Sequence, residues 1–358
     1  MIKKFLSFLL ASCAFLGADA PEAITYSSDK IAPPKKTPAY DADLYRKNVE
    51  VVSAHVEFLY WIAQEGALDY ALRMDQDPWG PDSCYAEGDF QTGTYDLDPG
   101  FRIAGSYYNA PKFWELKAQY TRLTNRGSDS ANKPSSGTEY LNGTWPQIFA
   151  TGDAVQSARS ALHLNYNIAT VGIARMFNPN PHLRMRLITD IITAWINQDW
   201  RIHYTSAAGY ETKIGSRWGF IGAGMTIGTT ADWFWGSDVY MTGRASVSLL
   251  LGQYRNHVTQ NTNYAPSGLY DASLPLRNAR YQDTRAVYAP QIIFGPCWEK
   301  NYAKSRWEVF AGYELIAWFN LQEVYRSTSG AGATAKETLL NTGLLALQGL
   351  TTRATVDF

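Results

Sequence analysis

Residues 183–204 read LRMRLITDIITAWINQDWRIHY. At the start, the odd positions Leu183, Met185 and Leu187 are apolar, set against Arg184, Arg186 and Asp190. By the end, the even positions Trp200, Ile202 and Tyr204 are apolar, set against Asn197, Asp199, Arg201 and His203. Period-two alternation marks a β-strand with two unlike faces. A reversal of phase inside one strand predicts a β-bulge, here within 190–197, because one extra residue exchanges the faces.

The same period runs through much of the chain. In VVSAHVEFLYWIAQEGALDYALRM, 51–74, the even positions Val56, Phe58, Tyr60, Ile62, Leu68, Tyr70, Leu72 and Met74 oppose His55, Glu57, Glu65, Asp69 and Arg73. The phase holds through Gln64-Glu65-Gly66, which predicts one long strand there rather than a hairpin. FWELKAQYT, 113–121, sets Trp114, Leu116, Ala118 and Tyr120 against Glu115, Lys117, Gln119 and Thr121. ARSALHLNYNI, 158–168, sets Leu162, Leu164, Tyr166 and Ile168 against Arg159, His163, Asn165 and Asn167. In WEVFAGYELIAWFNL, 307–321, Trp307, Val309, Tyr313 and Leu315 share a face against Glu308 and Glu314, diluted by Phe310, Ile316 and Trp318. Helical periods are almost absent.

The chain has 358 residues, 46% apolar and only 18% charged, with 14% aromatic and a net charge of −1. That balance gives no reason to expect a nucleic-acid partner. Residues 1–20 read as an export signal. Lys3 and Lys4 precede the apolar run FLSFLLASCAFLG, and Ala18-Asp19-Ala20 is a small-x-small cleavage site before Pro21. The rival is a lipoprotein signal, since Leu10-Ala11-Ser12-Cys13 fits a lipid-attachment box. Residues 21–49, rich in Pro, Lys and Asp, read as a flexible periplasmic leader. After the signal no run is long and apolar enough for a spanning helix. Export permits a disulfide between Cys84 and Cys297; the alternative is two free thiols in separate loops. There is no CxxC and no Cys/His cluster, so neither metal nor cofactor is expected.

Connections decide between a membrane barrel and a secreted β-sandwich. Shorter links such as 110–112 and 178–181 broadly alternate with long ones such as 75–98, 124–156, 255–281 and 326–341. Outer-membrane barrels have short periplasmic turns and long outer loops. Trp and Tyr cluster near strand ends, at Tyr60-Trp61, Trp233, Trp235, Trp298 and Trp307, as interfacial girdles do. The closing stretch GLTTRATVDF, 349–358, stops on Phe358 in mid-strand, as expected of a strand paired on both edges. The expectation for 50–358 is an all-β fold, a transmembrane antiparallel up-and-down barrel of about ten strands, with twelve as the alternative.

Several blocks then carry a resemblance in combination: VEFLYWIAQEGALDYA, LDPGFRIAGSY, LRMRLITDIITAWINQDWRIHY, FAGYELIAWFNLQEVY and GLTTRATVDF, in this order. Over 51–358 the chain resembles the Legionella-type major outer membrane protein family, pore-forming barrels also common in environmental chlamydiae. Val356 departs from such tails, which often carry a second aromatic there. The resemblance implies the bacterial outer membrane and a porin-like role, and it supplies no catalytic motif.

The expected function is a passive pore for ions and small hydrophilic solutes. The alternative is a structural or adhesive surface barrel with a closed lumen, acting through long loops such as 124–156. On either reading no enzyme is expected. No Ser occupies a nucleophile elbow, and Glu308 and Glu314 are about 20 Å apart along a strand, too far for paired acid–base work. A polar-face-inward reading makes Glu57, Asp69, Arg73, Glu115, Lys117, Arg159, His163, Arg184, Arg186, Asp199, Arg201, His203, Arg244, Glu308, Glu314 and Arg353 the pore-lining residues. Both signs of charge are present, so the count predicts no strong ion selectivity. The expected partners are outer-membrane lipids, small hydrophilic solutes, and the barrel-assembly machinery through the last strand. Phe358 is the expected assembly signal. Deleting Phe358 should impair membrane assembly in cells more than it lowers the stability of refolded protein; equal assembly, read by heat-modifiable gel mobility, would refute this.

Overall fold

The computed structural model describes residues 50–74, 88–109, 114–135, 139–145, 155–180, 182–236, 238–263, 275–302, 305–327, 337–341 and 343–358. The expected signal, the leader and Cys84 lie outside them. The described strands are β1 (Val51–Glu65), β2 (Asp69–Met74), β3 (Gly88–Thr92), β4 (Asp98–Asn109), β5 (Trp114–Asn132), β6 (Tyr140–Gly143), β7 (Val155–Asn180), β8 (Leu183–Ser206), β9 (Glu211–Gly236), β10 (Val239–Thr262), β11 (Arg277–Asn301), β12 (Arg306–Phe319), β13 (Glu323–Ser327), β14 (Glu337–Asn341) and β15 (Leu344–Asp357).

Ten strands form a closed antiparallel barrel in the order β1-β15-β12-β11-β10-β9-β8-β7-β5-β4. The ring excludes the sandwich. Its closure is the β1–β15 ladder, which runs from Ser53↔Asp357 to Glu65↔Leu345. Beyond it, Phe358 and Val52 exchange backbone hydrogen bonds of 2.9 and 3.3 Å. One end of the barrel carries the brief links β4–β5, β7–β8, β9–β10 and β11–β12. The other end carries the longer excursions, including the sheet β3-β2-β6 and the pair β13-β14, together with the brief β8–β9 link, residues 207–210.

The expected single strand over 51–74 is corrected. β1 stops at Glu65, Ala67 takes a left-handed φ of 54°, and β2 leaves the wall to pair with β3 and β6. Alternation fixes which faces a strand has, not which sheet it joins, so the unbroken phase hid the departure. Asp69 and Arg73 go with β2 and do not line the barrel.

Strand length is uneven around the ring. β7 to β11 have 24–26 residues, whereas β1, β4, β12 and β15 have 12–15. A tilted strand needs about 9–11 residues to cross hydrocarbon. The long strands therefore continue well past the crossing as a half-sleeve. β2 and β6 cover its inner face: Trp145 meets Trp200 edge-on at 5.6 Å, and the Tyr204 hydroxyl donates to the Tyr70 carbonyl.

Cross-strand register shows where the solvent changes. On the outer face, Ala118, Val171, Ile191, Met225, Leu249 and Tyr288 form one row across β5, β7, β8, β9, β10 and β11. Ile191, Met225 and Leu249 are largely exposed, an apolar band suited to lipid. Toward the long-loop end, the row Arg122, Asn167, Trp195, Ile221, Gln253 and Thr284 is the border. Beyond it the outer face is polar, and the row Arg126, His163, Asp199, Arg217, His257 and Arg280 contains no aliphatic residue.

This border replaces the expected bulge. The β8–β9 ladder pairs every residue from Leu183↔Trp233 to Thr205↔Glu211 without a slip, and the irregularities of the β7–β8 ladder fall at Val155/Ser157 and Phe177/Asn180, outside 190–197. Even residues of β8 point inward along its whole length, from Arg184 to Tyr204. The apolar phase reverses because the surroundings do. Near Leu187 the outside is apolar and the inside polar; near Trp200 the outside is wet and the inside is packed.

The two zones predict unequal penalties. Ile191→Arg should destabilise the folded barrel by about 2–4 kcal/mol, and Ala161→Arg, beyond the border, by no more than about 0.5 kcal/mol. Equilibrium urea unfolding from lipid vesicles measures both. Equal penalties would place both residues in one solvent.

Candidate functional site

The candidate site is the barrel interior, which has two layers. In the layer level with the apolar band, inward positions carry charge. Arg102 on β4 reaches across to Glu314 on β12 with a bidentate pair at 2.8 and 3.1 Å, bonds Glu57 on β1, and donates to Thr121 on β5 at 2.9 Å. Its guanidinium also lies 5.4 Å from the Trp61 ring. Glu314 accepts further bonds from Gln291 and, at 2.8 Å, from Thr351, so the carboxylate is saturated.

Nearer the brief-link end, Arg353 pairs with Glu308 at 2.8 Å, and Arg306 joins Glu299 at 3.1 Å and Asp357. Arg184 pairs with Asp232 at 2.7 Å beneath the rings of Phe234 and Tyr240. Arg186 lies 4.0 Å from Glu115 and 3.9 Å from Asp232, and Arg244 lies 3.7 Å from Asp190. Most of these groups are buried, and each charge faces its opposite. That is the arrangement a low-dielectric interior requires, because an unpaired charge there is costly. A cavity of about 40 Å³ lies among Arg102, Asp190, Arg244 and Trp318, room for a water or two.

In the layer toward the long-loop end the interior is a packed plug. Leu59, Trp61, Leu123, Tyr166, Ile196, Phe220, Tyr254, Trp318 and Leu347 belong to one buried cluster. Tyr166 and Trp318 meet edge-on at 6.0 Å, although β7 and β12 stand opposite each other in the ring. Gly222 and Gly252 make room for Phe220: a Cβ on either would fall 2.5 or 2.6 Å from its Cζ. Glu65 is held among these groups by Gln198, Tyr95 and Gln322, with Gln322 at 2.6 Å.

The expected lining residues divide sharply. Glu57, Glu115, Lys117, Arg184, Arg186, Arg244, Glu308, Glu314 and Arg353 occupy inward positions of their strands. Arg159, His163, Asp199, Arg201 and His203 are corrected to the outer face, because inward parity on β7 and β8 belongs to Leu162, Leu164, Trp200, Ile202 and Tyr204. The rule that polar faces point inward holds only where lipid lies outside. Arg102, Asp190, Asp232, Glu299, Arg306 and Asp357 were missed. For Arg102 the signal was present, a lone cation between the apolar neighbours Phe101 and Ile103. Phe310, Ile316 and Trp318 dilute a polar face because they are inward. Trp61 is likewise inward and buried rather than part of a girdle, whereas Trp233, Trp235, Trp298 and Trp307 are exposed outside. Cys297 sits on β11, free and buried, rather than in a loop.

Among known proteins, a family model described as "Legionella pneumophila major outer membrane protein precursor" matches residues 50–357. No curated protein matches the sequence. Similar solved structures include the outer membrane protease OmpT from Escherichia coli, at 11% identity and TM-score 0.43, covering 86% of this chain and 96% of that one. They also include a Pseudomonas aeruginosa FadL homologue, at 6% identity and TM-score 0.25, covering 90% and 94%. The matched span takes in the whole ring, from the first strand to the strand that closes it. The chain belongs to the Legionella pneumophila major outer membrane protein family and is a β-barrel of the bacterial outer membrane.

Proposed function

We propose that this barrel has a closed lumen at rest and serves as a structural or adhesive surface protein, presenting its long-loop end outside the cell. The Tyr166–Trp318 contact supports this reading, because it joins opposite walls at the level of the plug. Small barrels tend to fill with their own side chains, and ten strands leave little beyond that. In this reading Trp61, Trp318, Phe220 and Leu347, all buried at that level, bar water and ions while they are in place.

A passive pore for ions and small hydrophilic solutes is the second reading. The charged lower interior favours it, since the polar wall would suit water once the plug moved. In both readings the chain is not an enzyme, in keeping with interior carboxylates that guanidiniums already engage. In both, Phe358 addresses the assembly machinery, the outer band meets membrane lipid, and nucleic acid is no partner.

Purified full-length protein in planar bilayers distinguishes the two. The closed reading expects silent membranes, and discrete conductance steps from the wild type would overturn it in favour of the pore. The double substitution Tyr166→Ala with Trp318→Ala should introduce steps that the wild type lacks. Arg102→Met tests whether the charged layer is structural. It leaves Glu57 and Glu314 buried without their cation, so refolded protein should lose about 3–5 kcal/mol of stability in urea unfolding. A loss under about 1 kcal/mol would mean that water already reaches the layer.

A further inference from the structure

His163 and Asp199, on the outer face, belong to a site of their own. The row Arg126, His163, Asp199, Arg217, His257 and Arg280 runs across six adjacent strands. Asp199 accepts from Arg201 and Arg217 at 3.0 Å each, so one carboxylate faces two guanidiniums. No second outward carboxylate stands in this row.

A groove of about 810 Å³ is centred on the row, bounded by His163, Asp199, Arg217, Arg255, His257 and Arg280. Its floor comes from sequence. Gly215 and Gly219 flank Arg217 on the outer face of β9, where side chains would otherwise stand on either side of it. A Cβ at Gly219 would fall 2.6 Å from Asn197 Oδ1.

Height fixes what the groove meets. Trp195 and Ile221 mark the last apolar row, Arg255 pairs with Gly219 one outward position beyond it, and Arg217 lies one further. At about 3.3 Å per residue and a tilt near 45°, these cations stand roughly 5–10 Å above the hydrocarbon. That is headgroup depth. The groove is continuous with the lipid-facing band below and open to water above.

We propose that this basic groove binds the phosphate groups of an outer-leaflet lipid, with the acyl chains of that lipid lying on the apolar band beneath. Arg217, Arg255 and Arg280 supply the contacts, since guanidinium forks match phosphate oxygens in bidentate geometry. Asp199 orients Arg217 and leaves the row cationic. The site is independent of whether the lumen conducts.

Native mass spectrometry of the full-length protein in detergent tests this, using synthetic lipid A with both phosphates, the same lipid dephosphorylated, and inorganic phosphate. Wild type should retain the phosphorylated lipid at least about tenfold more tightly than the dephosphorylated one. The variant R217Q/R255Q/R280Q should lose about tenfold, and Lys300→Gln at the opposite end should lose nothing. Heat-modifiable mobility confirms that each variant is folded, and the comparison of the two lipids on wild type needs no variant. Equal retention of both lipids, or an unaffected triple variant, would overturn the proposal. Displacement of the lipid by inorganic phosphate at equal concentration would also overturn it, leaving a site for the free ion.

Discussion

A peptide group in hydrocarbon has no water to bond, so a sheet can cross a membrane only if it has no edge. The pairing of β15 with β1 meets that condition, and the rest of the architecture depends on it. β15 is held by β12 on one side and β1 on the other, so neither terminal strand of the ring offers a free edge. Once the ring is closed, every strand has a fixed inward and outward parity. Side-chain chemistry must then follow the solvent on each side.

Much of this was legible. The strand count, the antiparallel order and the broad alternation of brief links with long excursions, which the brief β8–β9 link interrupts, follow from period two and the spacing of segments. So does the inward placement of Glu57, Lys117, Glu314 and Arg353, which lie level with the lipid band. What was not legible was height. A sequence shows that Arg159, His163 and Asp199 oppose apolar neighbours, but not whether the water lies inside or outside at that level. The phase reversal in 183–204 carried the missing information. It has two physical causes available, an extra residue or a change of solvent, and only the register separates them. Asp69 and Arg73 failed for another reason, because parity survives the turn at Ala67 while sheet membership does not.

The half-sleeve and the plug are one consequence of extending strands past the bilayer. Strands that end near or short of the border, such as β4 and β12, need no further cover. Strands that continue for another ten or so residues expose two faces to water, and one must be buried. The inner faces of β7, β8 and β9 solve this with Leu162, Trp200 and Trp218, capped by Tyr70 and Trp145 from the small sheet. Packing the interior is thus the same act as stabilising the sleeve. An open ten-stranded barrel with such long walls would leave those aromatics in water.

The plug and the charged layer below it also depend on one another. Arg102, Glu57 and Glu314 attract strongly only while the surrounding dielectric is low, and the plug keeps water away from their outer side. Admitting water would weaken the ion pairs and at the same time relieve the desolvation that makes unpaired charge so costly there. Trp61 joins the layers physically: its ring packs in the plug, its indole N–H donates to Thr351 at 3.1 Å, and its face meets the Arg102 guanidinium.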